Sequence, residues 1–291
     1  MNYRHAFHAG NFADVLKHLV LVLAIEHLKL KAQPFRVVDT HAGIGLYDLG
    51  GVEAGKIGEW QGGIGRIVAA DLSPEVAAIV APYLQLVRRY LAETPAPGRY
   101  PGSPLIARDL MRDGDTLVLN ELHPEDRAAL DMLFRRDKAV KVLGLDGYTV
   151  VKATLPPKER RGLLLVDPPF EEAGEFERMT TAMTEAHWRF AGGMQIHWYP
   201  IKDAAAVARF HRSITAAAMA ETLVVEMAVR PPRSSAPGLA ATGLVVVNPP
   251  YTLREKLALA LPELTSAMAL ERGATCRVEW LVTEQAIKAR S

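Results

Sequence analysis

The sequence predicts an α/β protein built on a mostly parallel sheet, and three features predict it. Short apolar segments alternate with helical patterns along most of the chain. The strand-like segments are continuous apolar runs, such as TLVLN at Thr116–Asn120 and GLLLV at Gly162–Val166, as strands covered on both faces require. Several of these runs end in Asp, Glu or Gly, and ligands of open α/β sheets sit at strand carboxyl ends.

The first helix opens at Asn11, a good N-cap, with Asp14 placed to favour the positive end of the helix. Phe12, Leu16, Leu19 and Leu23 share one helical face. The run Leu19–Ile25 is far shorter than the roughly 20 apolar residues that span a bilayer and reads as core-facing. Pro34 closes the helix, and a strand, Phe35–Asp39, leads into Thr40-His41-Ala42-Gly43-Ile44-Gly45. From about Leu49 to Gly102 the chain is rich in Gly and Pro, with one helix at Pro74–Leu91 and no strand pattern. This stretch reads as a small helical insertion of about residues 49–102, with Pro95, Pro97, Pro101 and Pro104 at its exit.

Alternation then resumes. Strands are expected at Thr116–Asn120, Ala139–Leu145, Gly162–Val166 and Met194–Trp198, with helices at Pro124–Phe134, Gly174–Phe190 and Ala204–Ala220. Strands Leu223–Val229 and Gly243–Val247, joined by a Gly/Pro/Ser loop over Pro231–Gly238, predict an antiparallel edge pair. A helix at Arg254–Met268 and a strand at Cys276–Val282 complete the chain. No internal repeat or low-complexity tract interrupts it, so a single domain is expected over residues 1–291, with an N-terminal segment at 1–33.

Composition narrows the function classes. Of the 291 residues 49% are hydrophobic and 23% charged, which is ordinary globular usage. Lys plus Arg (34) balances Asp plus Glu (33), so a polycation is excluded and any nucleic-acid surface must be local. The lone Cys276 excludes an intrachain disulfide and a cysteine zinc site, and a reducing, cytoplasmic setting is expected. Met1–Gly10 lacks a secretory apolar core, and no membrane span is expected. His5 and His8, even with His41 near, have no Cys or paired carboxylate to make a metal site, so none is expected.

The strand ends carry the chemistry. Asp39 to Gly45 forms a D-x-x-x-G-x-G turn, which lets backbone approach a ligand or simply turns the chain. It lacks the third glycine of a nicotinamide-dinucleotide fingerprint, which disfavours an oxidoreductase. Glu121 follows the second buried strand, where it can accept hydrogen bonds from both ribose hydroxyls or act as an acid at a helix start. Asp146, beside Gly147, can meet an adenine amino group or make a turn.

Asp167-Pro168-Pro169-Phe170 is more specific. Two prolines fix its backbone. The Asp167 carboxylate and the Pro168 carbonyl can both accept from one exocyclic amine, while Phe170 stacks on the base that carries it. Two acceptors draw that nitrogen toward tetrahedral geometry and free its lone pair, and Asp167 can take the excess proton. Asn248-Pro249-Pro250-Tyr251 spells a similar motif but follows a strand of the antiparallel pair, so it is read as a turn. Trp60, Trp188, Trp198 and Trp280 are read as packing residues. Basic runs at residues 127–141 and 152–161 each carry a charge of +3, and Lys158, Arg160 and Arg161 are candidates for phosphate contact.

Together, Asp39-Gly43-Gly45, Glu121, Asp146 and D-P-P-F resemble the S-adenosylmethionine-dependent amino-methyltransferases. The blocks Asn2–Asn11, Ala13–His18, Asp39–Gly43, Tyr100–Ala107 and Glu121–Pro124 resemble more specifically the 23S rRNA adenine-N6 methyltransferase J family. That resemblance runs from residue 2 to about residue 282. It implies a Rossmann-like class I methyltransferase fold acting on N6 of adenine 2030 of 23S rRNA, with S-adenosylmethionine as cofactor. Separately from the resemblance, a monomer is expected. The resemblance implies that His18, His41, Gly43, Ser103, Glu121, Asp146, Gly147 and Asp167 hold the cofactor. It implies that Asp167, Pro168 and Phe170 form the catalytic motif and that Tyr3, His5 and Lys17 close over the site and touch RNA. Where the family carries D-P-P-Y, this chain has Phe170, which keeps the stacking face without a hydroxyl. A DNA adenine-N6 methyltransferase and an RNA-binding protein with an inactive methyltransferase fold are the rival readings.

Overall fold

Leu164 and Val166 point to one face of a central strand while Leu163 and Leu165 point to the other, and both sets are buried. A strand with no polar face must lie in the middle of a covered sheet. In the computed structural model, which describes residues 7–52, 54, 58–219, 221–231, 234, 236 and 238–288, it does. Tyr3 and His5 lie outside the described residues.

The strands are β1 (Arg36–Asp39), β2 (Leu46–Asp48), β3 (Arg99–Pro101), β4 (Thr116–Asn120), β5 (Val140–Leu143), β6 (Gly162–Val166), β7 (Met194–Pro200), β8 (Thr222–Ala228), β9 (Ala241–Val247) and β10 (Thr275–Val282). Eight of them form one sheet in the order β10-β8-β9-β7-β6-β1-β4-β5. From β5 to β7 every pairing is parallel. The expected antiparallel pair is β8–β9. It is not the sheet's edge, because β9 also pairs antiparallel with β7, and β10 adds antiparallel to β8 as the outermost strand. The turn from β8 to β9 therefore emerges at the carboxyl ends of the parallel strands.

The helices are α1 (Phe12–Lys29), α2 (Glu59–Gly62), α3 (Ile64–Ala69), α4 (Pro74–Ala92), α5 (Ser103–Leu110), α6 (Pro124–Phe134), α7 (Gly147–Thr154), α8 (Glu175–Arg189), α9 (Ala204–Ala217), α10 (Leu253–Met268) and α11 (Glu284–Lys288). Helices α1, α4, α5, α6 and α10 contribute to the core on one sheet face. Helices α7, α8 and α9 cover the other.

Helix α1 departs from the one-faced expectation. Every residue from Phe12 to Ile25 is buried, because α4, α5 and α10 pack around it while β6 and β9 lie beneath it. An all-round apolar sequence is what such a central helix needs. Asn11 caps it, its side chain accepting from Asp14 N at 3.0 Å.

Among the described residues, five helices escaped the sequence reading: the short α2, α3 and α11, and the longer α5 and α7. Helix α5 begins with Ser103-Pro104, and proline in a first turn marks a start, although Pro104 had read as loop. Helix α7 runs through β-branched Thr149, Val150 and Val151, which weakens its helical signal, but the Asp146 side chain caps it. The segment expected to lack strands also holds β3, which pairs with β2 and closes the base of the insertion.

The packing of α1 sets a testable cost. Leu19→Ala, at a fully buried position of this helix, is expected to lower unfolding free energy by about 3 kcal/mol. A denaturant titration should show the midpoint falling at unchanged slope.

Candidate active site

The ends of β1, β4 and β6 and the segment after β5 converge on a cavity of about 360 Å³. Its lining brings together His18, His41, Gly43, Ser103, Glu121, Asp146, Gly147 and Asp167, with Lys17 and Pro168 beside them. A second cavity, of about 510 Å³, is bordered by Phe170, Trp198, Lys202 and Leu239 and by His8, Asn11 and Glu59. Lys17, Asp167, Pro169 and Glu171 border both.

The turn after β1 is held from three sides. Asp39 is buried, and its carboxylate accepts from His41 N at 3.2 Å and from the Ser103 hydroxyl at 2.6 Å. Burial pushes its pKa up to about 6. Gly43 has φ +62°, and a Cβ there would sit 2.2 Å from the Tyr47 hydroxyl. Its N–H donates to Glu121 Oε2 at 2.8 Å, while Glu121 Oε1 accepts from His123 N at 2.8 Å. Each Glu121 oxygen keeps a second acceptor site. Burial raises the Glu121 pKa above its ordinary value.

The Thr40 hydroxyl donates to the Leu165 carbonyl and accepts from His41 Nδ1, which leaves His41 Nε2 as an acceptor. Burial lowers the His41 pKa to about 4, so the ring is neutral. Its Nε2 lies 2.3 Å from where a Cβ would stand on Gly147, so the glycine is what makes room for the ring.

Lys17 is 3% exposed and ties α1 to the end of β6. Its ammonium pairs with Asp14 at 2.9 Å and donates to Asp167. Burial pulls its pKa down, but the two carboxylates outweigh this and hold it well above the ordinary lysine value. Asp14 in turn accepts from Gly10 N at 2.9 Å, which fixes the chain entering α1. His18, one residue on, bonds the Tyr100 hydroxyl at 2.6 Å, and Tyr100 reaches Tyr83 at 2.9 Å.

Asp146 takes the local structural role of its two expected behaviours, and it also lines the first cavity. It caps α7 through Tyr148 N and Thr149 N, and its other oxygen pairs with Arg178 at 2.8 Å. Arg178 lies over the Tyr148 ring at 4.7 Å, and Tyr148 donates to Glu175 at 2.7 Å. The first cavity is thus strongly acidic, with Glu121, Asp126, Asp146, Asp167, Glu171, Glu172 and Glu175 against Lys17 and Arg178. Carboxylates for a diol and an amino group, and an excess negative charge for a sulfonium, fit a cationic nucleoside there. Among the described residues no group of three or more His, Cys, Asp or Glu could hold a metal ion. None of their helices is long and apolar enough to cross a membrane.

Phe170 sits at φ +52° and meets Phe176 and Trp198 edge-on, with centroids 5.0 and 5.9 Å apart. Trp198, expected only to pack, also walls the second cavity. Trp198 and Lys202 lie at the carboxyl end of β7, and applying the strand-end rule to this fifth strand would have found them. Glu59 and Arg178 carry no local signal, since the insertion brings in one and α8 the other.

The basic runs require a correction. Residues 158–161 enter β6 at its amino end, so Lys158 and Arg160 stand across the sheet from Asp167. Arg161 donates to the carbonyls of Leu28 and Gln33 and serves structure. Arg135, Arg136 and Lys138 likewise precede β5. Asn248-Pro-Pro-Tyr251 follows β9, which runs antiparallel to β7, and so emerges at that same far end with Tyr251 76% exposed.

Sheet order, the glycine turn after β1, the acid after β4 and D-P-P-F after β6 define a Rossmann-like class I methyltransferase. Comparison with known proteins narrows this further. Residues 32–282 match the family model "Ribosomal RNA large subunit methyltransferase D, RlmJ", and the chain belongs to that family. It is 42% identical over 284 residues to ribosomal RNA large subunit methyltransferase J of Haemophilus influenzae, covering 98% of this chain and 100% of that one. It is 40% identical, with the same coverage, to the Escherichia coli protein of that name. The crystal structure of Legionella pneumophila protein LPL1258 superposes with a TM-score of 0.84 at 30% identity, over 94% of this chain and 98% of that one.

Two outcomes follow from the buried charges. Because the Asp39 pKa is raised by burial to about 6, the stability it contributes is present at low pH and lost as pH rises through that value. Asp39→Asn escapes this loss, so its melting temperature relative to wild type should rise from about pH 4 to about pH 7, by at most about 3 kcal/mol in stability. Lys17→Ala leaves Asp14 and Asp167 facing each other without a cation. It should cost about 3 kcal/mol in a denaturant titration, against the little loss expected of a purely RNA-facing lysine.

Proposed function

We propose that the chain methylates N6 of adenine 2030 in 23S rRNA, using S-adenosylmethionine, as a cytoplasmic enzyme of one domain. The observation that carries this reading is the position of Asp167 on the common wall of the two cavities. The acidic first cavity holds the cofactor and the aromatic second cavity receives the adenine. S-adenosylmethionine, when bound, supplies the methyl group and its sulfonium leaving group.

The residues of the chain have separate tasks. Glu121 offers its remaining acceptor sites to a ribose diol, and its hold on Gly43 N keeps the turn against that sugar. Ser103, fixed by Asp39, and His18, fixed by Tyr100, border the same cavity from α5 and α1. Asp146 faces the adenine end, with Arg178 and Tyr148 closing it. In the acceptor cavity the base stacks near Phe170, with Trp198 beside it on the same wall. Its amine lies between Asp167 and the Pro168 carbonyl, and Asp167 receives the proton released on transfer. Lys17 steadies Asp167 and brings positive charge to the junction. Positioning supplies much of the rate. Lys202, at the cavity rim, is placed for a phosphate of the flipped nucleotide.

Residues 49–102 share the main core through Val80, Tyr83 and Val87, which supports one domain rather than two. Membership of a ribosomal RNA methyltransferase family favours RNA over DNA as acceptor.

Asp167→Ala should abolish transfer while cofactor binding stays measurable by calorimetry. Wild-type enzyme should methylate a transcribed 23S rRNA fragment at N6 of one adenine, read by mass spectrometry, and leave duplex DNA unmodified. Full turnover by Asp167→Ala, or modification of duplex DNA alone, would sink the reading.

A further inference from the structure

The acceptor cavity is walled by segments far apart in sequence, and one side chain bonds two of them together and stands near a third. Glu59 opens α2 in the insertion. Its Oε2 accepts from His8 Nδ1 at 2.9 Å and from Asn11 Nδ2 at 3.0 Å, both in the segment that leads into α1. Its Oε1 stands 3.8 Å from the position a Cβ would take on Gly238, in the β8–β9 connection. Ile64 N donates to Gly10 O at 2.8 Å beside it, a second link between insertion and N-terminal segment. His8, Asn11, Glu59 and Gly238 all border the acceptor cavity, and none of them lines the cofactor cavity. The His8–Glu59 pair is half-buried, so it is not a freely solvated surface pair.

We propose that Glu59 is a positioning residue for the RNA substrate: it clasps the N-terminal segment to the insertion and thereby sets the wall that receives the target base. The inference rests on the acceptor reading given above. Two donors converging on one carboxylate oxygen fix its direction, and a charged pair strengthens the hold. The Glu59 hydrogen bond is the main influence on His8, outweighing burial; Asp14 adds to it and Lys202 opposes it, and the His8 pKa stands above its ordinary value. Burial raises the Glu59 carboxyl, but His8 and Asn11 bring it net below its ordinary value. A histidine raised in this way is charged at lower pH, so the clasp weakens as pH rises through the His8 pKa. RNA affinity should fall over the same interval.

The test measures methyl transfer to a transcribed 23S rRNA fragment from about pH 6 to about pH 9, a range that brackets histidine titration. Glu59→Ala should raise KM for RNA about tenfold, equivalent to one lost charge-assisted contact, while kcat and the S-adenosylmethionine dissociation constant stay within about twofold. Glu59→Gln, which keeps an acceptor oxygen without charge, should raise KM less and flatten its pH dependence, and His8→Gln should flatten it too. An unchanged KM in Glu59→Ala, or a cofactor affinity that falls in the same proportion, would overturn the proposal. If Glu59→Ala does not fold, a wild-type pH slope in Glu59→Gln and His8→Gln overturns it instead. A wild-type KM in the Glu59 variants beside an inactive Asp167→Ala removes the clasp but leaves the acceptor reading standing. A wild-type enzyme that does not modify the fragment removes both.

Discussion

One ammonium group, buried between two carboxylates, constrains most of what surrounds it. Lys17 pairs with Asp14 on its own helix and with Asp167 at the tip of β6. A lysine so deeply buried is tolerable only when its charge is matched. That requirement fixes the height and rotation of α1 against the sheet. Beyond Lys17, the run Leu19–Ile25 is wholly apolar because the core surrounds that part of the helix on all sides. Asp14 extends the constraint backward by accepting from Gly10 N, so the chain before α1 is placed by the same cluster.

From that junction the site divides. The first cavity, proposed for the cofactor, is made by the carboxyl ends of β1, β4 and β6, by the segment after β5, and by α1, α5 and α8. These are the positions where parallel strands present loops to one edge. The second cavity, proposed for the acceptor, takes its walls from residues 8–17, Glu59 of the insertion, the end of β7 and the β8–β9 connection. The reversed direction of β9 is what allows that connection to reach the site. It is also what sends Asn248-Pro-Pro-Tyr251 away from it.

The lining of the first cavity was the legible half. Asp39, Glu121, Asp146 and Asp167 each end or follow an apolar run, so strand pattern and residue type pointed to one edge without any tertiary information. The glycine turn after β1 hinted at close approach to a ligand; in the structure the missing side chains of Gly43 and Gly147 also make room for Tyr47 and His41. The lining of the second cavity was harder. Trp198 reads as core because half of it is core, and Glu59 sits in a Gly-rich stretch with no periodicity. The basic runs misled for a simple reason: sequence gives charge density but not which end of a strand a loop occupies. Helices α5 and α7 were hidden by proline and by β-branched residues, yet each carries a start signal in its first turn or cap.

The shared wall of Lys17, Asp167, Pro169 and Glu171 leaves the two cavities otherwise without common residues. Such an arrangement is modular in the evolutionary sense. Drift in residues 8, 59, 198, 202 and 239 can reshape what is presented to Asp167 without touching the lining of the first cavity. A scaffold partitioned in this manner is one on which recognition of a new nucleic-acid context can be selected stepwise, each intermediate keeping its chemistry intact.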